Sequence, residues 1–526
     1  MTITTAEPFV SLRGAAALPA ALKLAPLALA AMLLSAECRA DWQFKPSATL
    51  RETYTDNIGL QRDALARNEF VTEASPGFTV TSSGPRLNLT ANAQWSMFGY
   101  SDKDAPNLYD SSRRYQAVGR AMLVDNLFYV DAGASGQRQA ISAFNQLSDT
   151  PYSSLNRTEV RTWRISPYLQ HRFGSTASAD LRFTRDSVEA GTDAFGSSVA
   201  SSVLANVASG PSFTSLGWNM TYYHQDLNNR IAGSSTSENA TFGLRYRLTP
   251  RLSLTGSVGY DDYEYAVLNE RTAGRSWTAG FAWTPSTRTS VEASFGHRYF
   301  GKTGSLAASH RTRHTVWSLN YSDQVTTSRS QFLLPAAIDT AAMLDNLFAA
   351  AYPDPAQRQQ IVQAYLAATG LPPTLADSVN YLSNRYTRAK RLQFASVLRG
   401  ARTSVTLSAY REERNALSLQ QSDSTLLGSQ LASLNDNVRQ HGASIDADYK
   451  LAPRTSAQAS VSLNRAESLG NGFINNTRQY RMGLVHRLSQ NASGLVELRH
   501  ARGNNGIGGG DVYHENSVMA ALTVQY

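Results

Sequence analysis

The sequence predicts an all-β fold: a transmembrane antiparallel up-and-down β-barrel of about 22 strands with one helical extracellular loop. Many short segments alternate strictly between apolar and polar residues, which is the side-chain period of a β-strand. No apolar run beyond residue 40 reaches the length of a membrane helix. Isolated charges occur on the polar face of these segments, where the dry core of a sandwich would not accommodate them but a wet barrel lumen would.

The last segment of the chain, Tyr513–Tyr526, shows the alternation clearly. Tyr526, Val524 and Leu522 fall on one face, and mostly polar residues fall on the other. This pattern predicts the closing strand of the barrel, paired with the first strand near Lys45–Tyr54. Its end lies on the periplasmic side, where Tyr526 meets the lipid boundary. We predict that the barrel-assembly machinery reads Tyr526, Val524 and Leu522 as its C-terminal signal.

The first 40 residues have the layout of a secretory signal peptide. Arg13 and Lys23 precede the apolar run Leu24–Ala36, and the small residue Ala40 is suited to cleavage before Asp41. The apolar run is too short for a comfortable membrane span. The sequence therefore predicts export and cleavage between Ala40 and Asp41.

Two other interpretations of this segment are an uncleaved anchor helix and a lipoprotein anchor at Cys38, the only cysteine. The second is disfavoured because Glu37 stands where lipoprotein sites need a small residue. If cleavage follows Ala40, the mature chain has no cysteine, so no disulfide can form.

The charge pattern does not indicate a nucleic-acid partner. Of the 526 residues 17% are charged and the net charge is +8, but Lys and Arg are scattered singly along the chain. Two interpretations stay open: solvated charges of the lumen and loops, or a preference for anionic glycans or lipid phosphates.

Short turns and longer loops divide the chain into strand pairs. Gly, Pro, Asn and Asp reverse the chain in few residues and predict ten turns. These turns are 83–85, 124–126, 173–175, 209–211, 249–251, 284–286, 322–324, 399–401, 452–454 and 489–491. The longer loops are near 55–69, 99–112, 138–156, 189–198, 226–236, 265–273, 300–310, 334–383, 415–436, 467–476 and 503–512. Together they give an even number of strands, about 22, with both termini on the periplasmic side. The eighth strand (197–208) and the fifteenth (325–333) are weak, so the true number could differ by two.

Charged residues on the polar faces are candidates for the lumen wall. Arg245 and Arg247 alternate with apolar residues in one segment, and Asp446, Asp448 and Lys450 do so in another. In a barrel these side chains would face water and tune the selectivity of the lumen.

One loop has a helical pattern. In the insertion 334–383, Asp354 can cap a helix that ends near Gly370, and a second short helix is predicted through 343–348. The insertion is either a self-packed surface cap or a lid at the pore mouth. The predicted organisation is a signal peptide (1–40) and a barrel (41–526) that contains this insertion (334–383).

No motif indicates catalysis, a cofactor or a metal. His297, His310 and His314 lack the spacing and the carboxylates of a metal site, and Gly506–Gly510 is interpreted as a loop tip. We therefore predict a protein that is not an enzyme, although a hydrolase site assembled from distant strands stays an alternative. Because Asp41–Phe44 leaves no room for a plug domain before the first strand, the lumen is expected to be open or filled by folded-in loops.

The start of the predicted mature chain resembles one family. The resemblance is carried by Asp41–Pro46, Tyr54–Leu60, Ser75–Phe78, Gly84–Pro85 and, after the insertion, Leu382–Arg385. In these motifs the chain is similar to the PEP-CTERM-system-associated outer-membrane β-barrel proteins, grouped with β-barrel porins of exopolysaccharide loci. The resemblance implies an outer-membrane setting and an association with envelope polysaccharide and protein sorting. It implies no catalytic residues.

The sequence-based hypothesis is a porin-like channel or conduit in the outer membrane of a Gram-negative cell, associated with exopolysaccharide export. The alternative is a non-conducting barrel that scaffolds polysaccharide or surface-protein machinery. The expected partners are outer-membrane lipids and lipopolysaccharide, the barrel-assembly machinery and exopolysaccharide export components.

Overall fold

Each strand pairs antiparallel with the next one along the chain, and the last strand pairs back onto the first. The computed structural model describes residues 41–102, 108–146, 150–264, 272–333, 378–419, 423–429, 431–504 and 512–526. The predicted signal peptide, the two predicted helices of the insertion and the 506–510 loop tip lie outside these residues. None of the helices in the described ranges has the length and apolarity needed to cross a membrane.

The closed sheet has 22 strands, which confirms the predicted number. The strands are β1 (Asp41–Thr55), β2 (Glu69–Ser83), β3 (Leu87–Tyr100), β4 (Ser111–Val124), β5 (Phe128–Ala140), β6 (Arg157–Phe173), β7 (Ala177–Ala190), β8 (Ser197–Ser209), β9 (Leu216–Asn229), β10 (Gly233–Thr249), β11 (Leu252–Glu264), β12 (Ala273–Ser286), β13 (Thr289–Arg298), β14 (Gly301–Arg311), β15 (Thr315–Thr327), β16 (Tyr386–Arg399), β17 (Thr403–Ala416), β18 (Asn437–Ala452), β19 (Thr455–Ser468), β20 (Ile474–Arg487), β21 (Ala492–Asn504) and β22 (Val512–Gln525). The described helices are α1 (Ser328–Leu333), α2 (Ser424–Leu427) and the 3₁₀ turns Asp63–Leu65 and Ala432–Asn435.

The predicted closing strand is confirmed. Strand β22 pairs with β1 in a register that runs from Ser47 opposite Gln525 to Thr55 opposite Ser517. The backbone N–H of Tyr526 donates to the carbonyl of Pro46 at 3.0 Å and extends this seam by one residue. A barrel closed in this way leaves no sheet edge exposed to lipid.

Nine of the ten predicted turns fall at or within about two residues of an observed strand end. The turn predicted at 322–324 is wrong, because these residues lie inside β15, where Asp323 forms an ion pair with Arg388 at 2.7 Å. The loop predicted at 300–310 is also wrong, since it forms β14. Small residues such as Gly304, Ala307 and Ala308 weaken the alternation there. The predicted fifteenth strand, 325–333, ends at Thr327 and continues as α1.

The two faces of the sheet differ in chemistry. Large apolar side chains are exposed at alternate positions of the strands, for example Leu244, Trp277, Ile445, Val496 and Leu522. An exposed apolar band of this kind is the lipid-facing surface of a membrane barrel. The described chain is therefore an outer-membrane type of β-barrel whose opposite face lines a lumen.

Candidate functional site

The lumen wall carries hydroxyl groups in direct cross-strand register. Pairs of Ser and Thr side chains hydrogen-bond across neighbouring strands on the face opposite the apolar band. They include Thr49–Thr523 (3.1 Å), Ser135–Thr162 (2.8 Å), Ser166–Thr184 (2.9 Å), Ser257–Thr278 (2.6 Å), Ser294–Ser305 (2.7 Å) and Ser408–Ser444 (2.8 Å). Each hydroxyl keeps further donor or acceptor capacity, so the wall can exchange hydrogen bonds with water or a polar solute.

The predicted lumen charges lie on the inward face but do not meet. Arg245 and Arg247 on β10 alternate with exposed Leu244, and Asp446, Asp448 and Lys450 on β18 alternate with exposed apolar residues. The carboxylate of Asp446 accepts a hydrogen bond from the Ser444 hydroxyl at 3.1 Å. Seven strands lie between β10 and β18, so the two groups occupy different sectors of the wall.

A third group of lumen charges was not predicted. Asp131 on β5 pairs with Arg120 on β4 at 2.8 Å and with Arg182 on β7 at 3.0 Å. The Arg182 guanidinium lies 4.0 Å from the ring centroid of Tyr168, which stacks on Tyr129 at 5.1 Å. Only the strand register brings these residues together, since each stands alone in the sequence. The cluster presents two cations, one anion and aromatic faces to the inner half of the lumen.

Loops fold inward at the outer end and form an assembly that we call the outer cap. Its described segments are 141–146, 150–156, 328–333, 378–385, 423–429 and 431–436. These segments come from the β5–β6, β15–β16 and β17–β18 connections and contact strands far around the barrel. They therefore cross the mouth of the lumen.

Apolar side chains hold the cap together in two clusters. Phe144 and Leu434, from different loops, are fully buried against Tyr381 and against Val438 of β18. The second cluster joins Phe332, Leu382 and Phe195 to inward residues of β6 and β7. These loops thus form a small hydrophobic core of their own inside the barrel mouth.

Polar contacts fasten the β5–β6 loop to a distant sector of the wall. The side-chain amide of Asn475 on β20 donates to the carbonyls of Ala143 (3.0 Å) and Asn145 (2.7 Å). The Gln146 amide donates to the carbonyl of Leu60 in the β1–β2 loop at 3.1 Å. Because β5 and β20 are not neighbours, these bonds hold the loop across the lumen.

A buried ion pair fastens α1 to the far wall. The Arg329 guanidinium of α1 pairs with the Asp186 carboxylate of β7 and donates through Nε to the Ser198 hydroxyl at 2.8 Å. Arg329 is 6% exposed and Asp186 is 3% exposed. A buried charge needs its partner, so this contact fixes the position of α1.

Two further groups are buried where the β15–β16 and β17–β18 loops meet. Asp423 is fully buried and accepts hydrogen bonds from Ser383 Oγ (2.8 Å), the backbone N–H of Asn384 (2.7 Å) and Asn435 Nδ2 (2.7 Å). Burial raises the pKa of Asp423 above its ordinary value, although these donors oppose the shift. Burial likewise raises the pKa of Tyr381 to about 12.

The predicted C-terminal residues lie on the lipid-facing side. Leu522 is exposed there, and Tyr526 is 74% exposed at the inner end of the seam. Val524 shares this face by the alternation of the strand. Asp41 is the first residue of β1, whereas Ala40 lies outside the described residues. The position of Tyr526 is consistent with a recognition role, which stays a prediction.

In the part of the chain that the structure describes, metal-ligating side chains do not cluster. Within the described ranges, no group of three or more His, Cys, Asp or Glu is arranged to hold a metal ion. His297 is outward on β13, and His310 forms a hydrogen bond with Thr289 at 2.9 Å.

No family model and no curated protein matches the chain. Among solved structures, it is similar to the siderophore receptor PirA from Pseudomonas aeruginosa, with 9% identity and a TM-score of 0.43 over 92% of this chain and 80% of that one. It is similar to the ferric enterobactin receptor PfeA from the same organism, with 11% identity and a TM-score of 0.42 over 92% and 81%. A loop-deletion mutant of OmpT, an outer membrane protein of Vibrio cholerae, has 7% identity and a TM-score of 0.31 over 93% and 99%. Likenesses at this level assign no function to the chain.

Proposed function

We propose that the protein is a passive outer-membrane conduit for hydrophilic solutes, closed at its outer mouth by the outer cap. The observation that carries this proposal is the contrast between the two parts of the lumen. Below the cap the wall presents in-register hydroxyl pairs and solvated charges, which a polar solute can contact. At the mouth, the loops of the cap cross the lumen and have an apolar core of their own.

We propose further that the solute is a glycan and that the conduit serves exopolysaccharide export in association with the PEP-CTERM system. The sequence resemblance supports this assignment. The wall chemistry is also compatible with it, because hydroxyl pairs and the stacked Tyr129 and Tyr168 offer hydrogen bonds and aromatic faces to sugar rings. Export components and the barrel-assembly machinery would then be its protein partners.

The second candidate function is a non-conducting scaffold. The observation in its favour is the fastening of the cap by buried charge pairs and fully buried apolar residues. Such contacts would suit a permanent seal as well as a gate.

Planar-bilayer recordings separate the two functions. We would compare the intact barrel with a variant lacking 334–383 and confirm folding of both by heat-dependent migration on gels. A conduit gives single-channel steps that grow when the insertion is removed. The absence of channel current from both proteins would support the scaffold, and equal steps from both would show that the insertion does not constrict the path.

We also propose that the barrel has no hydrolytic activity. The His–carboxylate contacts found in the described part of the chain are His224–Asp226 and His514–Asp63, both at 3.2 Å, and neither includes a serine hydroxyl. Purified barrel should release no product from ester or peptide substrates above a heat-denatured control. Turnover that His514→Ala or His224→Ala abolishes would overturn this proposal.

A further inference from the structure

The lipid-facing side of β17–β19 carries a group of basic side chains at its outer end. This basic patch consists of Arg411 on β17, Arg439 and His441 on β18, and Arg465 on β19. Together with Glu467 they line an open depression of about 370 Å³. All four side chains are exposed or half-buried.

The patch lies directly above the apolar band. Exposed Leu407, Ile445 and Leu463 occupy the same three strands at even spacings from the patch residues, so both sets point away from the lumen. Arg465 is two residues beyond Leu463, a rise of about 7 Å. The cations therefore stand where the hydrocarbon core gives way to lipid head groups.

The strand register brings these basic side chains together. Arg411 is directly opposite His441, and His441 is directly opposite Arg465, so the imidazole lies between two guanidinium groups. On the next pair of strands, outward-facing Arg478 is directly opposite Arg502, and like charges in this position destabilise a sheet. An anion at this surface would relieve the repulsion.

The neighbouring carboxylates offset the charge of the patch only in part. Arg439 and Arg465 lie within ion-pair distance of Glu413 (3.6 Å) and Glu467 (3.8 Å), which is too long for a hydrogen bond, and the three guanidinium groups keep an excess of positive charge over these two carboxylates. Because these ion pairs are too long for hydrogen bonds, the guanidinium groups keep N–H donors that they can offer to an oxyanion.

We propose that the basic patch binds the head-group phosphate of an outer-leaflet lipid, whose acyl chains lie along the wall formed by Leu407, Ile445 and Leu463. A soluble anion would not need this apolar wall, whereas a lipid A-type glycolipid has both parts at the required spacing. The proposal requires only that the barrel sits in the membrane, so it does not depend on whether the lumen conducts.

Two triple variants of equal charge test the proposal. The patch variant is Arg411→Gln/Arg439→Gln/Arg465→Gln. The control is Arg113→Gln/Arg185→Gln/Arg275→Gln, three exposed arginines that also face outward near the outer ends of β4, β7 and β12. Each folded barrel in detergent is titrated with bisphosphorylated lipid A, with dephosphorylated lipid A and with inorganic phosphate, and bound lipid is counted by native mass spectrometry.

The intact barrel and the control should bind bisphosphorylated lipid A at least about tenfold more tightly than the dephosphorylated form, and the patch variant should lose this preference. Equal affinities of the two triple variants would overturn the proposal. Displacement of the lipid by an equal concentration of inorganic phosphate would identify a soluble-anion site instead. If the patch variant fails the heat-migration test for folding, Arg411→Gln alone gives the same comparison, since its side chain is exposed.

Discussion

Replacing Arg329 with Ala tests the outer cap most directly. The substitution leaves the Asp186 carboxylate without its guanidinium partner where the two side chains are only 7% and 5% exposed. It also removes the donor to the Ser198 hydroxyl. Because α1 belongs to a loop and forms no part of the barrel ladder, the energetic penalty falls on closure of the cap and not on the barrel.

The size of the effect follows from the burial of the pair. Removing one partner of a buried ion pair costs about 3–5 kcal/mol. At about 1.4 kcal/mol per factor of ten, the ratio of open to closed cap rises by roughly two to four powers of ten. Single-channel recording should show larger or longer openings, and limited proteolysis should cut the cap loops faster, while heat-dependent gel migration stays unchanged.

Two further variants make the test specific. Arg86→Ala breaks an exposed ion pair with Asp125 at the periplasmic turns, 3.1 Å long, and should change neither readout. Arg329→Met/Asp186→Leu replaces the buried pair by apolar side chains and should restore much of the closed state. Wild-type conductance and wild-type protease resistance in Arg329→Ala would refute the assignment of this pair as a fastening of the cap.

Three other outcomes are expected. Because burial raises the pKa of Asp423, its protonated carboxyl stabilises the closed cap. This contribution is complete below the unfolded pKa and is lost as pH rises through the folded pKa. Conductance should therefore fall when the pH is lowered from about 7 to about 4, and it should fall less in Asp423→Asn. Deleting Tyr526 should lower the amount of barrel in outer-membrane fractions more than Tyr109→Ala does, and equal amounts would contradict the recognition role. Arg120→Glu/Arg182→Glu should shift the reversal potential in a salt gradient towards cation selectivity, and an unchanged potential would show that the solute path avoids this cluster.

The sequence was sufficient to predict the barrel, its strand number and its seam. Every strand of a membrane barrel has one face towards lipid, which must be apolar, and one towards the lumen. Apolar and polar residues therefore alternate along the sequence, as in the segment that contains Leu522 and Tyr526. Within the described residues, the assignment of strands was wrong at β14 and β15. There Asp323 suggested a turn, whereas the chain turns at 312–314, where the Thr312 hydroxyl accepts the backbone N–H of Thr315 at 2.9 Å. Such a hydroxyl-capped turn was the signal that could have corrected the prediction.

The site was harder to predict than the fold because its contacts join distant parts of the chain. Arg245 and Asp446 could be assigned to the inward face from alternation alone. Nothing local, however, distinguishes Arg329 as the partner of Asp186, since 143 positions separate them. Nor does the sequence reveal that Asn475 bonds the loop at Ala143. Whether a side chain points inward or outward follows from the two-residue alternation along its strand. Contacts across the lumen depend instead on how the loops close and on the register of the strands.

The strand β17 connects the two surfaces at the outer end of the barrel. Successive residues of its segment Arg411–Arg414 point to the two surfaces in turn. Arg411, which belongs to the basic patch, and Glu413 face the lipid. Glu412 and Arg414 form a buried ion pair at 3.0 Å on the other face, and Arg414 also donates to Gln331 of α1 at 2.9 Å. A shift of this backbone moves both surfaces, because successive side chains share one rigid strand. Lipid bound at the patch should therefore slow proteolysis of the cap in the intact barrel and have no such effect in the patch variant. Equal protection of both proteins would show that the two surfaces act independently despite their shared strand.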